Sequence, residues 1–422
     1  MRRWCQLIGW MIGMGRVVAA DDLTDLKPGA EATVPWPGLK SPLIVRLPDN
    51  YAAELEWPII FHFHGSGGTP TIDLPRTYSG GKDFVLVGME YVTRDLPAAT
   101  PDYLEQEWRN LLAVRDGLAT KVRVDVRRTY VGGFSQGGWF ASEFMEVHGR
   151  DLAGAYVLGA GKRPRNKREP KDFGLPKPVY LGAGQLDLNY IYAVQGIKHF
   201  GRLGGTVTFD DFLGTGHQMP PGGGPATPGV ASLLHWFQVE ASRTQPAALR
   251  EAAAEWGRRT RAAEAADADP LTRWLRLSRA RRDPFFAWLP PADQKAWQEA
   301  LASLERSPGM AAELRTRSAY FSLVERELKG PENGDLWAYA QGQAKKYHDL
   351  WQSAPATYHG RRAALEFARL RDQLSRVEMW RFPDEETKAK ALAAAESHPL
   401  PPAPPNDLVR SFKDLRPRLE CP

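Results

Sequence analysis

Two cysteines in 422 residues, Cys5 and Cys421, leave almost no material for covalent cross-links. Cys5 lies in an N-terminal segment that reads as a removable signal, and Cys421 then has no partner. A disulfide framework is excluded, and a chain this long can rely on its core instead. Cys421 sits in a tail without a neighbouring base and is expected to be a bystander. Long apolar runs are also missing. Beyond the N-terminus no stretch approaches the roughly 18 uninterrupted apolar residues that a spanning helix needs, which argues against a membrane-spanning protein. Charge of one sign is scarce too. The net charge is +5, and the basic residues are spread, notably over 163–171 and 279–282. Without a nucleic-acid motif, these read as solvated faces rather than a nucleic-acid surface.

What is present describes a globular protein, with 43% hydrophobic and 25% charged residues. The length allows about two to three domains. Residues 1–20 read as a signal peptide. Arg2 and Arg3 precede an apolar run at 7–14, and small residues end at Ala20 before Asp21 and Asp22. Cleavage near Ala20 and a secreted or periplasmic destination are expected.

Residues 21–240 alternate strand and helix signals. Strands are expected at 32–36, 43–47, 58–64, 84–92, 129–132, 153–158, 178–182 and 207–212. Helices are expected at 103–121, 139–147, 190–203 and 230–239. This alternation predicts an α/β fold with a mostly parallel sheet covered on both faces, the two leading strands adding an antiparallel edge. After residue 241 strand signals stop, and Ala, Glu, Arg, Leu and Trp dominate. Residues 241–397 are expected to be all-helical, with Trp274, Trp288, Trp297, Trp337 and Trp351 in its core, and no fixed repeat period appears. Residues 398–422 are a Pro-rich linker and tail, with one last short helix at 407–415.

The chemistry is organised around Gly133-Phe134-Ser135-Gln136-Gly137-Gly138. Read as strand, sharp turn and helix, it lifts Ser135 out of the sheet and aims a helix N-terminus at it. A base candidate, His217, follows the strand at 207–212 in a glycine-flanked loop. An acid candidate, Asp187, follows the strand at 178–182. Asp210 and Asp211 are rival acids, with Asp172 and Asp73 behind them. Backbone N–H groups of Gln136 and Ser66, the latter in His64-Gly65-Ser66-Gly67-Gly68, are candidate oxyanion donors. Tyr190, Tyr192 and Met219 lie just past the acid and the base and are candidates for an acyl pocket. His62 and His64 alternate on one strand. A metal pair there lacks a fitting carboxylate cluster, so no metal and no cofactor is expected.

These residues resemble the alpha/beta-hydrolase superfamily over residues 30–240. The serine motif with its upstream His64-Gly65-Ser66-Gly67-Gly68 is similar to the carboxylesterase, phospholipase and acyl-thioesterase branch. The stretch around His217, followed by Met219-Pro220-Pro221, also looks like secreted polyhydroxybutyrate depolymerases and feruloyl esterases. Those secreted branches usually carry disulfides, which this module lacks. The resemblance implies a Ser135, Asp187 and His217 triad hydrolysing carboxylic esters through an acyl-enzyme. The implied partner is a small-molecule or polymer ester. Two alternatives stand beside it: a serine peptidase of the same fold, and a non-catalytic binding protein with a hydrolase-like module. The helical region would then be a lid or a site for an unknown partner.

Overall fold

The computed structural model describes residues 16–17, 20–91, 101–162, 170–184, 187, 189–212, 216–218, 231–267, 270–331, 335–376, 382, 384–397 and 401–402. Among them run nine strands: β1 (Arg16–Val17), β2 (Glu31–Val34), β3 (Leu43–Arg46), β4 (Trp57–Phe63), β5 (Val85–Met89), β6 (Val124–Phe134), β7 (Gly154–Leu158), β8 (Lys177–Gly184) and β9 (Gly205–Phe212). Five helices accompany them: α1 (Asp73–Ser79), α2 (Pro101–Ala119), α3 (Gln136–His148), α4 (Tyr190–Arg202) and α5 (Ala231–Ala241). The expected helix at 407–415 and Cys421 lie outside the described residues, as does most of the expected signal. Its residues Arg16 and Val17 pair in parallel with Ala32 and Thr33 at the sheet edge.

All nine strands join one sheet, in the order β1-β2-β3-β5-β4-β6-β7-β8-β9. From β5 through β9 every pairing is parallel, whereas β3 is antiparallel to both its neighbours. Burial separates the two kinds. Every residue of β4, β5 and β7 is buried, while β2 and β3 alternate buried and half-buried positions. A strand covered on both faces needs an apolar run, and an edge strand needs only one apolar face. Successive residues of β4 accordingly serve opposite layers. Ile59, Phe61 and Phe63 pack with Leu104, Phe140 and Phe144 of α2 and α3, whereas Ile60 packs with Leu74, Trp236 and Phe237 of α1 and α5.

Seven further helices follow: α6 (Pro246–Ala266), α7 (Pro270–Ala280), α8 (Pro291–Glu305), α9 (Pro308–Lys329), α10 (Leu336–Ser353), α11 (Tyr358–Ser375) and α12 (Glu385–Ser397). Sequence periodicity signals helices at 246–266, 292–306, 310–329 and 361–377, where α6, α8, α9 and α11 lie, and does not single out α7, α10 or α12, nor α1 before them. The helical region is α throughout and builds two cores. One gathers Leu249, Trp256, Trp274, Phe285 and Trp297, with Val239 of α5. The other gathers Tyr320, Trp337, Tyr347 and Phe367 around α9, α10 and α11. Trp274, Trp297 and Trp337 are buried, and Trp288 and Trp351 pack against these cores, as expected.

The helical region is attached firmly to the sheet. Arg279 of α7 forms an ion pair with Asp210 of β9, which is buried and also accepts hydrogen bonds from Tyr180 and Ser232. His235 of α5 pairs with Asp283 at 2.7 Å and stacks on Phe285. Buried charges of this kind are tolerated only when paired, and both of these carboxylates are. Among the described residues no helix is long and apolar enough to cross a membrane.

Candidate active site

Parallel strands deliver their carboxyl ends to one rim. The loop after β4, Ser135 after β6, Gly159 after β7, Asp187 after β8 and His217 after β9 all lie there. Ser135 joins β6 to α3 at φ 55° and ψ −116°. A side-chain-bearing residue in such a conformation costs about 1–3 kcal/mol and persists only when its surroundings over-determine it. Here they do: the Ser135 N–H donates to Leu158 O at 2.8 Å, and the Trp139 N–H donates to Ser135 O at 3.0 Å.

The flanking glycines are required by close backbone contact. A Cβ on Gly133 would stand 2.4 Å from the carbonyl carbon of Gly137, and one on Gly137 would stand 1.9 Å from Phe63 O. Backbone cannot yield as a flexible side chain can. Gly137→Ala is therefore expected to destabilise the fold by about 3 kcal/mol or more. Urea denaturation of the full chain would show it as a lowered midpoint, and an unchanged midpoint would refute this account of the turn.

Three side chains meet over the elbow. His217 Nε2 lies 2.8 Å from Ser135 Oγ, and His217 Nδ1 lies 2.8 Å from Asp187 Oδ2. The Asp187 side chain is 1% exposed and that of His217 38% exposed. The imidazole is thus open to a ligand while the carboxylate behind it is screened from water. The other oxygen of Asp187 accepts the Asn189 N–H at 2.8 Å, and the Asn189 side chain donates to Gly159 O. Phe134 stacks on the His217 ring. The hydrogen bond to Asp187 raises the His217 pKa above its ordinary 6.5, against the opposing effect of burial, and the carboxylate charge adds to the rise.

The loop after β4 lies beside the serine. A Cβ on Gly65 would be 3.6 Å from Ser135 Cβ. The Gly68 N–H closes a tight turn on Gly65 O, with Gly67 at φ 74°, a conformation that suits glycine. Two features of this loop were not found by sequence reasoning. Ser66 Oγ donates to Gln136 Oε1 at 2.7 Å, tying the two expected oxyanion donors to each other. His64 is held by Gly65 O through Nδ1 and by Glu90 through Nε2, at 2.7 and 2.8 Å. Neither could be read from spacing, because Ser66 and Gln136, like His64 and Glu90, follow different strands of the sheet.

The remaining candidates lie elsewhere. Asp210 is committed to Arg279, Asp73 to Thr71 and Arg76, and Asp172 to the Gly174 N–H. The side chain of Asp211 lies outside the described residues. His62 is a core residue bonded to Tyr156 at 2.7 Å, and burial, reinforced by His64, pushes its pKa down to about 3. Tyr192 is half-buried and meets Trp139 edge-on. Tyr190, expected in an acyl pocket, is buried with its ring against Phe209 and Arg362, on the side of the acid that faces the helical region. Met219 lies outside the described residues.

An antiparallel edge, the crossed order β3-β5-β4-β6 and a strained serine between β6 and α3 together decide the architecture. The fold is that of the alpha/beta hydrolases. No protein-family model matches the chain, and no curated protein matches it. Solved structures of this fold do resemble it. A Bacillus cereus carboxylesterase is 16% identical, covering 47% of this chain and 93% of its own, with a TM-score of 0.38. A Mesorhizobium loti carboxylesterase is 19% identical, covering 49% and 98%, with a TM-score of 0.38. A fluorophosphonate-binding serine hydrolase of Staphylococcus aureus is 15% identical, covering 51% and 99%, with a TM-score of 0.38.

Proposed function

We propose that the chain is a serine hydrolase acting on carboxylic esters, with Ser135 as nucleophile, His217 as base and Asp187 as the acid that orients it. The observation that carries this reading is the single hydrogen-bonded line from Asp187 through His217 to Ser135, ending at a strained elbow. Asp187 holds the proton on His217 Nδ1, which leaves the Nε2 lone pair facing the serine hydroxyl. As Ser135 Oγ attacks the acyl carbon, His217 takes its proton. The carbonyl oxygen becomes an oxyanion, held by the N–H groups of Gln136 and Ser66 at the positive end of α3. Collapse breaks the ester C–O bond, and His217 returns the proton to the leaving alcohol. Water, activated by the same imidazole, then releases the acid and regenerates Ser135. Each of these steps uses groups of the chain itself.

The test is a fluorophosphonate probe on the full chain, with the labelled peptide identified by mass spectrometry. One label per chain on Ser135, together with turnover of p-nitrophenyl acetate, is expected. Labelling elsewhere or not at all would overturn the assignment, and faster turnover of peptide than of ester substrates would overturn the ester preference. Export is proposed on the N-terminal residues alone. The N-terminus of protein recovered outside the cytoplasm should begin at Asp21, and an intact Met1 on such protein would contradict this.

A further inference from the structure

The acid turn is held from two sides. On the sheet side, the Asp187 N–H donates to Gly184 O at 3.1 Å, and Asn189 reaches Gly159 O at 2.8 Å. On the other side, the Tyr190 N–H donates back to Asp187 O at 3.0 Å, and the Tyr190 ring opens α4. That ring meets the helical region. The Arg362 guanidinium of α11 lies 4.9 Å from the centre of the Tyr190 ring and 5.0 Å from that of Tyr320 on α9. Arg362 is 3% exposed, so its charge is carried between two aromatic faces away from water, where a cation–π contact is strongest.

The contact does not stand alone. Ile191 and Val194, the next inward positions of α4, pack into the core formed by Tyr320, Val324, Tyr347 and Phe367. A small cleft at this seam has Asp187 and Tyr190 on one wall and Glu327, Tyr347 and Arg369 on the other. Those facing groups are bound to one another: Arg369 pairs with Glu327 and Glu366, and Tyr347 donates to Glu327 at 3.0 Å. The wall behind the acid is therefore a cross-linked surface supplied by residues some 140 to 180 positions further along the chain.

We propose that the helical region is a positioning domain for the acid of this site, and that Arg362 is the positioning residue, acting on Asp187 through Tyr190. The inference rests on the serine-hydrolase reading above. An imidazole keeps its tautomer and aim only while the carboxylate behind it stays in place, and a displacement of about 1 Å can lower turnover as much as 100-fold. Here the brace is α9 and α11.

The experiment compares the full-length parent with Arg362→Met, counting sites by exhaustive fluorophosphonate labelling. In R362M, kcat per labelled site is expected to fall about 10-fold or more, while KM stays within about twofold. The acidic limb of the kcat–pH profile is expected to move to lower pH, because His217 loses part of the hydrogen bond that raises its pKa. An unchanged kcat per site with an unmoved limb overturns the proposal. Fewer labelled sites at unchanged kcat per site also overturn it, since that is loss of fold alone. If R362M does not accumulate as folded protein, Tyr190→Leu breaks the same contact from the other side and is judged by the same readouts. A parent that is not labelled at Ser135 removes the hydrolase reading itself, whereas a labelled parent with an unaffected variant removes only this inference.

Discussion

Ser135→Ala is expected to abolish p-nitrophenyl acetate hydrolysis, with kcat falling by about 10⁴-fold or more. His217 Nε2 is aimed at the Ser135 hydroxyl, so on the proposed reading the alanine variant has no oxygen there to activate. The fold should survive. Alanine keeps the Cβ of serine, so the backbone at φ 55° is no more strained than before, and the loss is one partly exposed hydrogen bond worth about 1 kcal/mol. Ser135→Gly is the companion. It is equally inactive, but it relieves part of the roughly 1–3 kcal/mol held in the turn and should melt higher than S135A. Ester turnover by S135A at the parental rate would remove Ser135 as nucleophile. A glycine variant that melts lower than the alanine one would refute the strain account.

The second large effect is expected at Asp187. Asp187→Asn preserves shape but presents an amide to His217 Nδ1. The imidazole can then turn its proton toward Ser135, and kcat should drop by about 10⁴-fold. The pH dependence carries the sign. In the parent, His217 must be neutral to accept the serine proton, so activity rises with pH through the raised pKa of His217. Without the carboxylate that pKa falls, and the residual activity of D187N should show its acidic limb at lower pH. Stability runs the other way. The protonated His217–Asp187 pair favours the folded state, a contribution fully present below pH 6.5 and lost as pH rises through the raised value. A D187N profile whose limb stays at the parental pH would show that the pair does not set the titration.

The two predictions draw on residues that were legible to different degrees. Ser135 could be read because the glycines that flank it, Gly133 and Gly137, are close to it in sequence, although the backbone that excludes a Cβ there includes Phe63 of β4. The parallel strands were legible because burial on both faces leaves a continuous apolar run. Asp187 and His217 could be proposed only by order and by position after strands. Asp210 remained a rival to Asp187 until its commitment to Arg279, from α7, was seen. The helices α1, α7, α10 and α12 escaped periodicity. Of these, α1 has only seven residues, too few for a period to show.

The amino-acid order by itself determined the elbow, the alternation that builds the sheet and the change to helix after residue 241. Each is set by contacts between near neighbours or by the face a segment must bury. Only the tertiary structure decided which carboxylate serves His217, how Ser66 is tied to Gln136, and where Tyr190 points. These depend on residues brought together from the ends of different strands and, for Tyr190, from a helix more than 160 positions away. Such pairings leave no local pattern, because either partner would look the same in the sequence if the other were absent.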